Sequence, residues 1–184
     1  IANTNVGIFS NLVTADCPLI GIEPSAILTF RDEYIRLADD KESAKKLAKN
    51  VFTIEEFFKK EITSGKIHSE QFSDIAKTIK IHGHCHQKSL STIEATFTML
   101  NVPKNSVVTI YNSGCCGMAG SFGYEKEHYD ISMQMGEDTL FPKIRATDAT
   151  TAIAAAGTSC RHQIFDGTNR RAMHPVTILR DCLK

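Results

Sequence analysis

Four cysteines carry the most specific chemistry in this sequence. Cys85, the adjacent pair Cys115-Cys116 and Cys160 follow the spacing Cys-x29-Cys-Cys-x43-Cys. Thiolates are soft ligands and strong nucleophiles, so four of them in one place would bind a metal or cluster, or do redox chemistry. His84 and His86 flank Cys85, where they would ligate the metal, hydrogen-bond to cluster sulfur or simply cap the following helix. Glycines surround Cys115-Cys116, among them Gly117, and would let backbone amides approach bound sulfur. Arg161 and Gln163 open the helix after Cys160, and either hold an anion there or are solvated. Cys17 and Cys182 fall outside the pattern and read as packing residues or free thiols. A disulfide scaffold is disfavoured, because two of the six cysteines are adjacent and no basic-then-apolar leader opens the chain.

For sequence-distant cysteines to meet, the fold must bring their segments together. From Ile79 onward the pattern is strand, turn, helix, repeated. Strands are predicted at Ile79–His82, Ser106–Tyr111 and 150–155, and each is followed by a cysteine. Helices are predicted after Cys85 to about Leu100, from Glu125 to Leu140, after Cys160 and from Pro175 to Leu183. Alternation of this kind implies right-handed crossovers and a parallel sheet with helices on both faces. The carboxyl ends of its strands then form one rim, where ligands bind. Upstream, Pro18–Glu23 reads as a further strand of the same sheet. Ser25 is a cap for a helix over 26–37, and Lys41–Val51 is another helix. Thr53 and Glu56 form a capping box for a third. No strand is expected between Glu23 and Ile79, so 41–66 reads as a helical insertion. His174 before Pro175 is a candidate cap for the last helix.

Composition excludes several classes. The 184 residues are 42% hydrophobic and 23% charged, with 21 basic against 21 acidic side chains. That is an ordinary folded protein with no electrostatic footprint for nucleic acid. No apolar run approaches the roughly 20 residues of a membrane span. The glycine-rich loop 114–123 lacks the Gly-Lys-Ser/Thr ending of a phosphate cradle.

The sequence also echoes itself. Glu23-Pro24-Ser25-Ala26 with Asp32 beyond parallels Gly157-Thr158-Ser159-Cys160 with Asp166 beyond, at an offset of 134 residues. His82-Gly83-His84-Cys85-His86-Gln87-Lys88, Gly114-Cys115-Cys116-Gly117-Met118-Ala119-Gly120, Gly157-Thr158-Ser159-Cys160-Arg161 and His174-Pro175 together resemble a known family. It is the cysteine-rich CCG domain found in heterodisulfide reductase, in the iron–sulfur subunit of glycolate oxidase and in anaerobic glycerol-phosphate dehydrogenase. The nearest likeness is to the carboxyl end of large FAD-linked dehydrogenases of the D-lactate, glycolate and D-2-hydroxyglutarate type. The resemblance implies a Rossmann-like α/β fold, with residues 1–40 ending a first CCG repeat, 41–66 inserted, and 67–184 forming a complete second repeat. The family's Cys-x-x-Cys is here Gly157-x-x-Cys160 and Glu23-x-x-Ala26. Five-cysteine ligation therefore lacks one ligand, while four cysteines match an ordinary 4Fe-4S cluster.

By that likeness Cys85, Cys115, Cys116 and Cys160 are ligands, with His84, His86, Gly117 and Arg161 around them. The chain is expected to be the carboxyl-terminal electron-transfer domain of an FAD-linked 2-hydroxy acid oxidoreductase, since it starts at Ile1 rather than Met. Its partner would be the flavin dehydrogenase domain of the same parent or complex. Its expected place is the cytoplasm, peripheral to the inner membrane face through partners. Two alternatives stand beside this one: a structural zinc site, and a thiol/disulfide redox enzyme using the vicinal pair. Ala26, the counterpart of Cys160, leaves the first repeat without a site.

Overall fold

A computed structural model describes residues 1–184. In chain order its elements are α1 (Ala2–Phe9), β1 (Leu19–Gly21), α2 (Pro24–Ile27), α3 (Glu33–Leu37), α4 (Lys41–Ala48), β2 (Val51–Thr53) and α5 (Ile54–Thr63). There follow β3 (Lys77–His82), α6 (Cys85–Leu90), α7 (Ile93–Leu100), β4 (Ser106–Ile110), α8 (Tyr129–Arg145), β5 (Ala152–Ala155), α9 (Thr158–Thr168), β6 (Ala172–Met173) and α10 (Pro175–Arg180). The main sheet has the order β4-β3-β5-β6, and every pair in it is parallel.

Alternate residues of these strands feed two cores, as the two-residue pleat requires. Ile79, Ile81, Val108 and Ala154 pack with Met99, Leu100, Ile178 and Leu179 on one face. Ile153 and Ala155 pack with Leu140, Phe141, Ile144 and Ile164 on the other. The expected parallel α/β sheet with helices on both faces is therefore the fold. No helix is long and apolar enough to cross a membrane.

The amino-terminal part departs from expectation. The strand expected over 18–23 does not join the main sheet. It forms β1 of a separate two-stranded sheet, parallel to β2, with Leu19 beside Val51 and Gly21 beside Thr53. The segment 41–66 is thus not purely helical. Val51 is completely buried and Thr53 nearly so, and they pack this small sheet against a third core containing Leu28, Phe30 and Leu47. Three apolar or β-branched residues between two helices were too short a run to read as a strand.

Two expected helices are broken. The segment 26–37 divides into α2, a 3-10 turn at Leu28–Phe30 and α3. Arg31 lies at that break. Its guanidinium donates to the Val51 carbonyl at 2.6 Å and to both Glu56 carboxylate oxygens at 2.5 and 2.9 Å. Glu23, not Ser25, caps α2. The helix after Cys85 stops at Leu90 and restarts at Ile93, because the Thr92 hydroxyl accepts from the Glu94 amide and recaps the chain. The Thr53/Glu56 capping box is present, and His174 caps α10 by accepting from the Val176 amide.

Glu55, in the first turn of α5, is completely buried, and neither carboxylate oxygen has a hydrogen-bond partner. Burial raises its pKa from 4.5 to about 6. A raised folded-state pKa means its stabilising, protonated form is fully present below the unfolded value and is lost as pH rises through the folded one. Unfolding free energy attributable to Glu55 therefore falls between about pH 4.5 and 6, by about 2 kcal/mol. Urea unfolding of Glu55→Gln is expected to lack that slope and to exceed wild-type stability at pH 7. A wild-type-like pH profile in the variant would locate the slope elsewhere.

Candidate metal centre

The main sheet brings three strand ends into register. Ile81 lies beside Ile110 of β4, and His82 lies beside Ala155 of β5. Immediately beyond these ends the chain delivers Cys85 at the start of α6, Cys115-Cys116 in the loop after β4, and Cys160 in the first turn of α9. All four cysteines, with His84, His86, Ser25, Ser159, Ala119 and Gly120, line one cavity of about 400 Å³. Cys116 and Cys160 are buried at its base and Cys85 is exposed at its mouth. Cys17 is exposed and Cys182 is buried in the core beneath the other sheet face, away from this cavity.

Two of the sulfurs are hydrogen-bonded to one another. The Cys116 thiol donates to Cys160 Sγ at 3.5 Å. That bond holds the Cys160 thiol well below its ordinary range, and the His82 imidazole helps. Cys115 is likewise held low, first by the Cys116 thiol, then by the Cys85 thiol, and also by the Gly117 amide at 3.3 Å. Cys85 and Cys116 are pushed up because their protons are shared with these neighbours. Four thiol groups thus face one space, and binding a metal there would displace their protons.

His82 was not singled out from the sequence. It is 1% exposed, its Nδ1 lies 3.2 Å from Ser113 Oγ, and its Nε2 is buried with no partner. One of its ring nitrogens and the sulfurs of Cys116 and Cys160 lie within 4.8 Å of one another. Strand parity was the available signal. His82 is two residues beyond Lys80, which pairs with Ile153, so both project to the face where α8 and α9 pack.

His84 is also buried, with its Nδ1 unpartnered, and its pKa is lowered by burial. It lies over Gly157, where a Cβ would stand 2.3 Å from its Cδ2. A cysteine at 157 would require this ring to move. His86 is exposed and stacks on His84 with ring centroids 5.7 Å apart.

Other candidates take structural roles. Arg161 does not line the cavity. Its guanidinium donates to the Ala155 and Ala156 carbonyls and to Thr158 Oγ1, bracing the turn that leads to Cys160. Gln163 donates to Ser132, whose hydroxyl donates to the Gly117 carbonyl, so it braces the cysteine loop. His128 stacks on Phe122 at the surface.

The cavity offers thiols and imidazoles, and no carboxylate lines it. Such a donor set suits zinc or iron–sulfur chemistry and disfavours magnesium or calcium. The orphaned Nε2 of His82 and the sulfur pair at 3.5 Å fit a soft metal centre.

Comparison with known proteins gives the same direction. The chain is similar to parts of two kinds of dehydrogenase. It is 30% identical over 181 residues to D-2-hydroxyglutarate dehydrogenase of Haemophilus influenzae, a match covering 91% of this chain and 16% of that protein. It is 26% identical over 166 residues to one subunit of the anaerobic glycerol-3-phosphate dehydrogenase of Escherichia coli, covering 90% of this chain and 40% of that polypeptide. D-2-hydroxyglutarate dehydrogenase of Pseudomonas putida matches at 26% over 172 residues, 15% of its length. The chain thus corresponds to less than half of each relative. These likenesses and the cysteine group support an oxidoreductase-related domain. No protein-family model matches the chain. No solved structure matches it significantly.

Ala26 occupies the third position of α2, as Cys160 does of α9. It is exposed, and Ser25, not a thiol, is its neighbour on the cavity wall. Ala26→Cys is therefore expected to leave the metal content per chain unchanged. Metal analysis showing an added centre would mean that this helix start is a site in its own right.

Proposed function

We propose that this chain is an iron–sulfur electron-transfer domain of the CCG kind, working within an FAD-linked 2-hydroxy acid oxidoreductase. The observation that carries the reading is the convergence of Cys85, Cys115, Cys116 and Cys160, from three strand-end segments, on one cavity. Four thiolates equal the ligand number of a 4Fe-4S cluster, which when bound takes up and releases single electrons.

The chain's own residues would hold and tune that group. Burial of Cys116 and Cys160 keeps water from the base of the site. The Gly117 amide, already directed at Cys115 Sγ, tempers negative charge on sulfur. Exposed Cys85 and His86 mark the side by which electrons enter and leave. The flavin, the hydroxy acid and the acceptor belong to partner domains outside this chain. In the same reading residues 1–40 are the remnant of a first repeat, 41–66 an insertion whose strand β2 joins it, and 67–184 the working repeat.

One observation favours a second reading. Two sulfurs and a histidine nitrogen within 4.8 Å of one another suit a single tetrahedral ion. Bonds of about 2.3 Å would place two thiolates on zinc roughly 3.8 Å apart, near the 3.5 Å between Cys116 and Cys160. Anaerobic purification followed by iron, sulfide and zinc analysis and electron paramagnetic resonance after reduction separates the two. About four irons and four sulfides per chain support the cluster. One zinc and no iron would replace it with the structural site, and metal-free protein would overturn both.

A further inference from the structure

The helix that presents Cys160 has no cap of its own. Its N-cap residue is Gly157, which has no side chain to offer. The Thr158 amide instead donates to Glu23 Oε2 at 2.8 Å, across 135 residues of sequence. The other oxygen, Oε1, accepts from the Ser25 hydroxyl at 2.8 Å and the Ser25 amide at 3.3 Å. One carboxylate therefore caps α2 and α9 together.

The adjoining residue reinforces this junction. His174 Nε2 donates to the Ile22 carbonyl at 2.9 Å while its Nδ1 caps α10. Residues 22 and 23 thus fasten the small-sheet segment to the starts of both helices that follow β5 and β6. Ser25 and Ser159, the second residues of the two helices capped by Glu23, both line the cysteine cavity. Cys160 is the next residue of α9, so the carboxylate that fixes this helix start also fixes that sulfur. It places a negative charge at a helix end whose partial positive charge would otherwise serve the thiolate alone.

We propose that Glu23 is a positioning residue of the centre at Cys160: its carboxylate holds the α9 start in place, and its charge lowers the centre's affinity for an electron. The second half of this proposal rests on the metal-centre reading above, and the first half does not.

Glu23→Gln removes the charge and keeps one oxygen, which can still accept from the Thr158 amide when its NH2 faces Ser25, while Glu23→Ala removes charge and acceptors alike. Glu42→Gln, at an exposed surface carboxylate paired with Lys45, controls for net charge. In metal-free, reduced protein, alkylation of Cys160 followed site by site by mass spectrometry is expected to accelerate about fivefold in Glu23→Ala, the effect of losing one cap on local opening. Alkylation of buried Cys182 should not change. Equal Cys160 rates in wild type and Glu23→Ala would overturn the positioning role. In metal-loaded protein, a redox titration followed by paramagnetic resonance is expected to show an upward midpoint shift in Glu23→Gln and none in Glu42→Gln, with metal content unchanged. An unshifted midpoint in Glu23→Gln would overturn the charge role. Wild-type protein without a redox-active metal would overturn the charge role together with the cluster reading, while the alkylation result would still decide the positioning role.

Discussion

Replacing Cys116 with serine empties the metal centre. Cys116 is 3% exposed, adjoins Cys115 in the chain and donates its thiol proton to Cys160 Sγ. A serine hydroxyl is a harder donor, keeps its proton at neutral pH and reaches less far, so the base of the cavity loses its central soft ligand. Metal per chain is expected to fall below about a tenth of wild type, by analogy with the 10–100-fold affinity losses caused by changes merely around a site. Cys17→Ser should keep wild-type metal, because that residue is exposed and does not line the cavity. Iron or zinc retained at wild-type stoichiometry in Cys116→Ser would remove Cys116 from the ligand set under both metal readings.

The second large effect is on stability. Gly117 has φ +96°, and a Cβ there would lie 2.0 Å from the Ser132 carbonyl oxygen and 3.2 Å from Gln163 Nε2. Ser132 belongs to α8 and its carbonyl is backbone, so it cannot turn away as a flexible side chain would. Gly117→Ala combines left-handed strain with a backbone clash in a buried, hydrogen-bonded brace. A cost of about 3 kcal/mol or more is expected. For a chain of this length that is a melting-temperature drop on the order of 10 °C. Gly114→Ala serves as the control, since its Cβ would meet only Thr139 Oγ1 at 3.4 Å. Thermal unfolding of both variants checks this, and equal melting temperatures would mean that the loop relaxes freely.

The two effects have different legibility. Cys116 could be chosen from the sequence, because strand-turn-helix alternation places each of the cysteines 85, 115, 116 and 160 just beyond a strand, and parallel strands end on one rim. That logic needs only local periodicity and chain handedness. The same holds for the Thr53–Glu56 capping box and the His174 cap, whose partners lie within a few residues. Gly117 was legible as a glycine near sulfur, but not as a contact with α8.

What the sequence by itself determined is therefore the class of fold, the second-half order of strands and helices, and which cysteines could share a site. What the tertiary structure decided are the pairings between residues far apart in sequence. It placed β1 beside the three-residue strand β2 rather than in the main sheet, because Val51 and Thr53 gain burial against a core assembled from four helical segments. It brought His82 beside Cys116 and Cys160 through the register of β3 with β5, which is not fixed until the strands pair, although the alternation along β3 was legible. It put the His84 ring over Gly157, and the carboxylate of Glu23 on the amide of Thr158. Hydrogen bonds and steric exclusion act over a few ångströms in space. Between residues 73 or 135 positions apart, only the folded chain brings those ångströms about.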